Sequence, residues 1–244
     1  FDGAGAQSAT VNGLLDVNAN LTKATGDLAL AASMMQLGGL EHTVSGGNLH
    51  LNATDITFDN VNNGSVNVVV SGTLDVDGNV HRPGDLRLEA NEIQLGGATT
   101  SADGNLTLVS DSIVFDLDNA AQSASAGQVL SLGGDATKAS GNLLLHGGSS
   151  IELGGAMTQA SSGSLTLDAP DVLFTNDAIA QAASASTTLD IRGNVSKAVN
   201  NLTLHGGSSI VLAGAKTAAE TGDLVLDAPD IILENNQIDQ KIAA

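Results

Sequence analysis

The sequence predicts an all-β protein, a parallel β-solenoid made of many short strands. Residues 141–174 return little changed at residues 200–233, which is 59 positions later. Pairs of leucines spaced L-x-L, followed about seven residues later by I-x-L or I-x-F, recur from the first quarter of the chain to the last. Self-similarity at a fixed period is typical of repeat proteins, and alternation at period two predicts strands. The fold class follows from these two periods together.

The pattern runs through the chain in order. Its leading positions are Ala9, Leu28, Leu49, Val68, Leu86, Leu106, Ala124, Leu143, Leu165, Ala183, Leu202 and Leu224. Their spacing predicts about 12 turns of about 19–20 residues, each with two strands whose apolar side chains face inward. On this interpretation the longer repeat of 57–59 residues comprises three turns. No composition break interrupts the series, so residues 1–244 are predicted to form one domain.

The core and the corners are predicted from the same pattern. Leu144, Thr166 and Thr203 alternate with core positions and are expected to face outward. The residues expected to be buried are Leu143, Ile151, Leu165, Leu202, Ile210 and Leu224. Glycine pairs such as Gly38-Gly39 and Gly154-Gly155 follow the second strand of a unit, where positive φ angles are expected at a tight bend.

Composition excludes several classes of function. The chain of 244 residues is 42% hydrophobic, has no Trp, Tyr or Cys, and carries a formal net charge of −19 with only 8 Lys and Arg. Nucleic-acid binding needs clustered basic residues, so a nucleic-acid partner is not expected. Without cysteine there is no disulfide or thiolate metal site. No run approaches the roughly 20 apolar residues of a membrane-spanning helix, so membrane insertion is not expected.

Two histidines occupy equivalent positions in the repeat. His146 and His205 are 59 residues apart. With three turns between them they would lie roughly 14 Å apart along the solenoid axis. This separation is too large for them to share a metal ion, so both are predicted to be surface residues.

Acidic residues also follow the repeat. Asp168 and Asp171 recur as Asp227 and Asp230, and a second set comprises Asp16, Asp75 and Asp190. Paired carboxylates suit general acid–base chemistry or calcium binding. A catalytic site is expected to break a repeat rather than copy it, so these acids are interpreted as solvated turn residues. The segment Gly133-Gly134-Asp135 is too short a fragment of a calcium-binding nonapeptide.

A set of basic residues aligns in the repeat as well. Its members are Lys23, His81, Lys138 and Lys197, and they are expected to relieve the acidic charge of the solenoid surface. No residue is assigned a catalytic, cofactor-binding or metal-ligating role. Folding is expected to require neither a metal ion nor a cofactor.

The segments GNLTLVSDSIVF (104–115) and GSLTLDAPDVLF (163–174) resemble the repeats of filamentous haemagglutinin-like exoproteins. The resemblance extends over essentially the whole chain. It implies a single-stranded right-handed β-helix, exported by two-partner secretion through an outer-membrane transporter. It further implies a secreted or cell-surface location on a Gram-negative bacterium, in an adhesin or in the stalk of a contact-dependent growth-inhibition toxin. A host or neighbouring-cell receptor would be bound through regions outside this chain.

The function predicted first is therefore structural, a shaft segment of a large exoprotein whose partners are flanking solenoid turns or stacked copies. The alternatives are a glycan- or protein-binding solenoid, a filament subunit that stacks head to tail, and a polysaccharide-active enzyme. The chain is also expected to be an excerpt of a longer shaft. Phe1 aligns with Phe58, Phe115 and Phe174, and residues 240–244 align with residues 181–185.

Overall fold

The computed structural model describes residues 3–59, 64–234 and 241–243, and all regular secondary structure in these residues is β-strand. The strands are β1 (Gln7–Thr10), β2 (Leu14–Val17), β3 (Thr22–Lys23), β4 (Leu28–Ala31), β5 (Met34–Leu37), β6 (Glu41–Val44), β7 (Leu49–Thr57), β8 (Val66–Val70), β9 (Thr73–Arg82), β10 (Leu86–Glu89), β11 (Glu92–Leu95), β12 (Thr99–Ala102), β13 (Leu106–Val109), β14 (Ser112–Phe115), β15 (Gln122–Ala126), β16 (Val129–Leu132), β17 (Asp135–Lys138), β18 (Leu143–Gly147), β19 (Ser150–Leu153), β20 (Met157–Ala160), β21 (Leu165–Asp168), β22 (Asp171–Phe174), β23 (Gln181–Ala185), β24 (Thr188–Ile191), β25 (Asn194–Lys197), β26 (Leu202–Gly206), β27 (Ser209–Leu212), β28 (Lys216–Ala219), β29 (Leu224–Asp227), β30 (Asp230–Leu233) and β31 (Lys241–Ala243). Within this part of the chain no helix is present that could cross a membrane.

Every turn contributes a strand to each of three parallel ladders, which we call faces 1, 2 and 3. Face 1 consists of β1, β4, the first half of β7, the first half of β9, β11, β14, β17, β20, β23, β26 and β29. Face 2 consists of β2, β5, the second halves of β7 and β9, β12, β15, β18, β21, β24, β27 and β30. Face 3 consists of β3, β6, β8, β10, β13, β16, β19, β22, β25, β28 and β31. The two long strands turn a corner, and their pairing shifts register between Asn52 and Asp55.

The parallel β-solenoid is confirmed, but its turns differ from the prediction. There are eleven described turns of 19 to 26 residues with three strands each, rather than twelve turns with two. Many strands missing from the prediction carry small or polar residues at inward positions, as β12 (TTSA) and β17 (DATK) do. Because their alternation is not one of large apolar residues, the period-two hydrophobic signal is weak in them.

The core lies inside the three faces and is lined by the alternating inward residues of each strand. Of the six predicted core residues, Leu143, Ile151, Leu165, Leu202 and Ile210 are at most 1% exposed. The sixth, Leu224, is only half-buried, because β29 is the last described strand of face 1 and no described strand pairs with its far side. The predicted outward neighbours do face outward, and 38% of Leu144 is exposed.

The 59-residue repeat does not comprise three turns. A ten-residue segment marks it best, in the four copies LLDVNANLTK (14–23), TLDVDGNVHR (73–82), VLSLGGDATK (129–138) and TLDIRGNVSK (188–197). We call these copies 1 to 4. From one copy to the next the chain passes through eight strand segments, which is two and two-thirds turns.

Equivalent residues of the repeat therefore lie on different faces. His146 is on face 2 in β18, whereas His205 is on face 1 in β26. Their separation along the axis is about 13 Å by the strand spacing, close to the predicted distance but with a rotation between them. Because one sequence fits all three faces, the faces are structurally equivalent.

The glycine pairs are required for close approach, not for positive φ. A Cβ on Gly97 would lie 2.0 Å from Gly78 O, and one on Gly155 would lie 2.3 Å from Gly134 C. The prediction of positive φ at these pairs is wrong, since none of them has it. Positive φ occurs instead at the corner that follows each copy, at Gly26, Gly84, Gly141 and Asn200, and also at Asn119.

The predictions about the two ends of the chain fall outside the described residues. Phe1 is not described, nor are the residues 240 and 244 that bound the aligned C-terminal segment. The expectation of a longer parent shaft therefore stays a prediction.

Candidate functional site

Each copy of the repeat ends in a cation that is buried inside the solenoid. These residues are Lys23, Arg82, Lys138 and Lys197, and each is at most 1% exposed. The expectation that Lys23, His81, Lys138 and Lys197 neutralise the surface is therefore wrong in two ways. The aligned residue of copy 2 is Arg82, while His81 is exposed and lies 3.2 Å from Ser101 Oγ. The four cations therefore lie inside the solenoid core and not on its surface.

The site around Lys138 shows how a charge is accommodated in the core. Its Nζ donates hydrogen bonds to Leu117 O at 2.8 Å and to Gln122 Oε1 at 2.7 Å. The same Gln122 Oε1 also accepts from Leu117 N at 3.0 Å. Its amide Nε2 donates to Leu95 O and Gly97 O at 2.7 and 2.8 Å. The glutamine amide thus uses both of its N–H donors. The lysine, by donating to the glutamine and to Leu117 O, connects the glutamine to the preceding loop.

Copy 4 repeats this arrangement on another face. Lys197 Nζ donates to Asn176 O at 2.8 Å and to Gln181 Oε1 at 2.9 Å. Gln181 Nε2 donates to Leu153 O and Gly155 O at 2.7 and 2.6 Å. In copy 1, Lys23 makes the same kind of contacts. Its Nζ donates to Gly3 O at 2.7 Å and to Gln7 Oε1 at 3.0 Å.

Copy 2 holds its cation differently. The position of the glutamine is taken by Val66, which is fully buried. Arg82 reaches the loop directly, donating from Nη1 to Phe58 O at 2.9 Å and from Nη2 to Gly64 O at 2.6 Å. Compared with the other copies, both the lysine and the glutamine are replaced. Hydrogen bonds from the core cation to the loop carbonyls are nevertheless present.

The neighbouring turns provide space and charge for the buried lysines. Lys138 stacks between Phe115 of the turn before and Ala160 of the turn after, and the small alanine leaves room for the lysine side chain. Burial lowers the pKa of Lys138, and the charges of Asp118 and Asp116 act against that shift. Burial also lowers the pKa of Lys197, with Asp177 acting against it. Acidic loops outside the core therefore help to keep the lysines charged.

The predicted surface histidines do lie at the surface, each beside one of the repeated aspartates. His146 Nδ1 is 3.1 Å from Asp168 Oδ2, and His205 Nδ1 is 2.9 Å from Asp227 Oδ2. Asp168 and Asp227 end strands β21 and β29 rather than standing alone in turns. Each pair offers only two side chains, and pairs this exposed contribute little to stability.

The acids of the second set have different surroundings. Asp190 Oδ2 forms an ion pair with Arg192 Nη2 at 2.9 Å. Asp75 lies 3.7 Å from His50 Nε2, and Asp77 lies 3.0 Å from the same atom. The donor atoms of these last three residues all lie within 4.8 Å of one another. They form the one candidate metal group found among the described residues.

Two open depressions of about 440 and 450 Å³ lie between turns on the outside of the solenoid. The first is lined by Asn20, Glu41 and Thr43 among small residues, and the second by Glu89, Asn91 and Asp111 among others. Neither includes His50 or one of the His–Asp pairs. Neither brings together the nucleophile, base and oxyanion donors that a hydrolytic site needs.

Sequence reasoning missed the glutamines that hold the buried lysines. A signal was present, since a glutamine precedes the lysine by 16 residues at Gln7, Gln122 and Gln181. In the remaining copy both residues change together, which indicates contact. The glutamines were overlooked because a polar residue at the start of a strand is usually solvated.

Comparison with known proteins adds no family to this picture. No family model, no curated protein and no solved structure matches the chain.

Proposed function

We propose that this chain is a shaft segment of a large secreted or cell-surface exoprotein, an adhesin or a toxin-delivery stalk. The observation that carries the proposal is the uninterrupted stacking of all three faces through eleven turns around one core. Along the described residues each turn pairs with the next by parallel ladders, so the segment transmits position and force along its axis. A spacer needs this property more than it needs a pocket.

The mechanism of such a shaft is geometric. Each turn adds about 4.8 Å, so eleven turns extend to roughly 50 Å. A loop leaves the regular winding before each copy, and hydrogen bonds from the buried cation of that copy hold the loop to the core. The acidic surface, with a formal net charge of −19, favours separation of neighbouring shafts in a crowded layer.

The location, and a role in either an adhesin or a toxin stalk, are supported by the sequence resemblance to filamentous haemagglutinin-like exoproteins. Both kinds of protein need a rigid element that holds a terminal region away from the cell. The absence of cysteine and the small number of large aromatic side chains are compatible with export of an unfolded chain.

The test uses two variants of the full-length parent protein displayed on its own cells. The first lacks residues 143–201, one whole 59-residue repeat, so that Leu202 follows Asn142. This junction preserves the local sequence and shortens the shaft by about 13 Å. The second keeps the full length of the shaft. In it, outward Ser and Thr residues such as Thr137 and Thr166 are replaced by one another or by Asn.

A shaft is expected to lose reach, measured as binding to or inhibition of target cells, in the shortened variant. It is expected to keep full activity in the surface variant. The reverse result, activity lost on surface exchange and kept on shortening, would identify a binding module and overturn the proposal. Surface labelling of intact cells with an antibody to this segment checks the location.

A further inference from the structure

The group formed by His50, Asp75 and Asp77 does not follow the repeat. The residues equivalent to His50 are Thr107, Thr166 and Val225. Those equivalent to Asp77 in the other three copies are Asn18, Gly133 and Arg192. The His–Asp pairs of β18 and β26 are copies of each other, whereas this group occurs once. A feature that departs from a strong repeat needs its own explanation.

We propose that His50, Asp75 and Asp77 form a binding site for a divalent transition-metal ion of the Zn²⁺ type on the outside of face 1. His50 lies in turn three and the two aspartates lie in turn four, directly beside it in the ladder. Their donor atoms lie within 4.8 Å of one another. One imidazole nitrogen and two carboxylates, with remaining positions open to water, match an open zinc site.

Copy 4 shows what the two aspartates lack. There the equivalent pair is Asp190 and Arg192, and the guanidinium compensates the carboxylate at 2.9 Å. In copy 2 the second residue is a further carboxylate, and among the described residues no lysine or arginine forms an ion pair with Asp75 or Asp77. A bound cation would take the electrostatic place of the guanidinium.

The surroundings add negative charge and keep the site open. A Cβ on Gly96 would lie 2.7 Å from Asp77 Oδ1 and 3.4 Å from Asp116 Oδ1, so the glycine lets two carboxylates approach from adjacent turns. The His50 side chain is 40% exposed, which leaves access for an ion from solution.

The donor set also selects among cations. Ca²⁺ and Mg²⁺ take oxygen ligands, and neither uses imidazole by preference. Zn²⁺ and its neighbours in the first transition row bind imidazole and carboxylate together. Bound Zn²⁺ would connect turns three and four beside the corner at which the pairing of β7 and β9 shifts register.

The test is calorimetric titration of the whole chain with ZnCl₂ in chelator-free buffer near neutral pH, repeated with CaCl₂. Four proteins are compared, the wild type, His50→Gln, Asp77→Arg and the control His205→Gln. His205 has the same kind of Asp neighbour but only one, so its removal tests whether any exposed His–Asp pair suffices. Asp77→Arg reproduces the charge pattern of copy 4.

We expect one Zn²⁺ site in the wild type and in His205→Gln, weakened by about tenfold or more in His50→Gln and Asp77→Arg. Co²⁺ in place of Zn²⁺ should give visible absorption bands that depend on His50. Zn²⁺ should raise the melting temperature of the wild type and leave that of Asp77→Arg unchanged. No saturable Zn²⁺ binding, binding insensitive to His50→Gln, or Ca²⁺ binding as tight as Zn²⁺ would each overturn the proposal.

Discussion

Copy 2 and copy 3 of the repeat use different residues to bond a buried cation to the loop that precedes it. In copy 3, Lys138 reaches the loop through Gln122, whose amide is itself bonded to two backbone carbonyls. In copy 2, Arg82 spans the distance alone and the glutamine is replaced by Val66. The longer guanidinium, with several donors in a fixed fork, reaches two loop carbonyls without an intervening amide.

The comparison shows that the hydrogen bonds between cation and loop depend on the local sequence and not on the face of the solenoid. Lys138 lies on face 1, Arg82 on face 2 and Lys197 on face 3, yet each reaches the carbonyls of the loop preceding it. A charge is tolerated in this core where loop carbonyls accept its hydrogen bonds. Elsewhere the same charge would remain unpaired, at high cost.

The largest effect is expected when a lysine is placed in the core without such partners. Leu165 is fully buried and stacks between Leu143 and Leu189. We expect Leu165→Lys to lower the free energy of unfolding by about 4 kcal/mol or more. Chemical denaturation followed by circular dichroism measures it.

The neighbouring residue provides the control. Thr166 alternates with Leu165 on the same strand and faces outward. The variant Thr166→Lys should stay within about 0.5 kcal/mol of the wild type. Equal losses in the two variants would contradict the register of β21.

A smaller loss is expected when the buried lysine of copy 3 is made apolar. Lys138→Met keeps much of the side-chain volume but leaves Leu117 O without its 2.8 Å donor, while Gln122 Oε1 retains the bond from Leu117 N. Hydrogen bonds from charged groups are strong, and their loss is partly offset by removing a buried charge. We expect a net loss of about 2–3 kcal/mol in the free energy of unfolding.

Lys216 is the matched control, because its side chain is 45% exposed and pairs with Glu220 at 3.2 Å. Lys216→Met should change the free energy of unfolding by less than about 0.5 kcal/mol. If Lys138→Met proved as stable as Lys216→Met, the buried cations would be dispensable.

The sequence predicted the solenoid, the inward residues and the outward histidines, because those features follow from alternation of large apolar side chains. It did not predict the third strand of each turn, in which residues such as Ala136 and Thr158 take inward positions. It also placed Lys138 outside, since a charged residue is assumed to be solvated unless its partners are known. Those partners, Leu117 O and Gln122, lie 21 and 16 residues earlier and meet the lysine only after winding.

Copies 3 and 4 differ at the corner that follows the cation, and this difference predicts the next effect. Gly141 has φ of 85°, and a Cβ there would lie 2.3 Å from Ala120 O. We expect Gly141→Ala to cost about 1–2 kcal/mol, from the strained backbone and the close contact. Thermal and chemical denaturation measure the loss.

In copy 4 the same corner holds Asn200 at φ of 69°, with Nδ2 donating to Asp177 O at 2.7 Å. Asn200→Gly removes this bond and relieves the backbone, so the two changes should nearly cancel, within about 0.5 kcal/mol. A loss in Asn200→Gly as large as that in Gly141→Ala would show that the asparagine side chain, and not the backbone conformation, determines this corner.

The smallest effect concerns a histidine in the earliest part of the chain. His42 is fully buried where the later units of the repeat have Thr100, Thr158 and Thr217. Its Nδ1 accepts a hydrogen bond from Leu21 N at 3.3 Å, and its Nε2 has no hydrogen-bond partner among the described residues. Burial lowers the pKa of His42 below its ordinary value of 6.5. Burial therefore favours the neutral form of this histidine in the folded protein.

The sign of the pH dependence follows from that shift. Below the ordinary pKa of 6.5 the unfolded chain binds a proton at His42 that the folded chain does not, so protonation favours unfolding. The contribution of His42 should be fully present above about pH 6.5, and should fall by at most about 1.4 kcal/mol for each pH unit below it, until the lower folded pKa is passed.

His42→Thr, which restores the residue of the other units, should remove this component, while the surface variant His146→Gln keeps it. Denaturation of the three proteins between pH 7.5 and 5 measures the difference. Parallel profiles for the wild type and His42→Thr would mean that His42 is protonated equally in the folded and unfolded chains, in conflict with its burial.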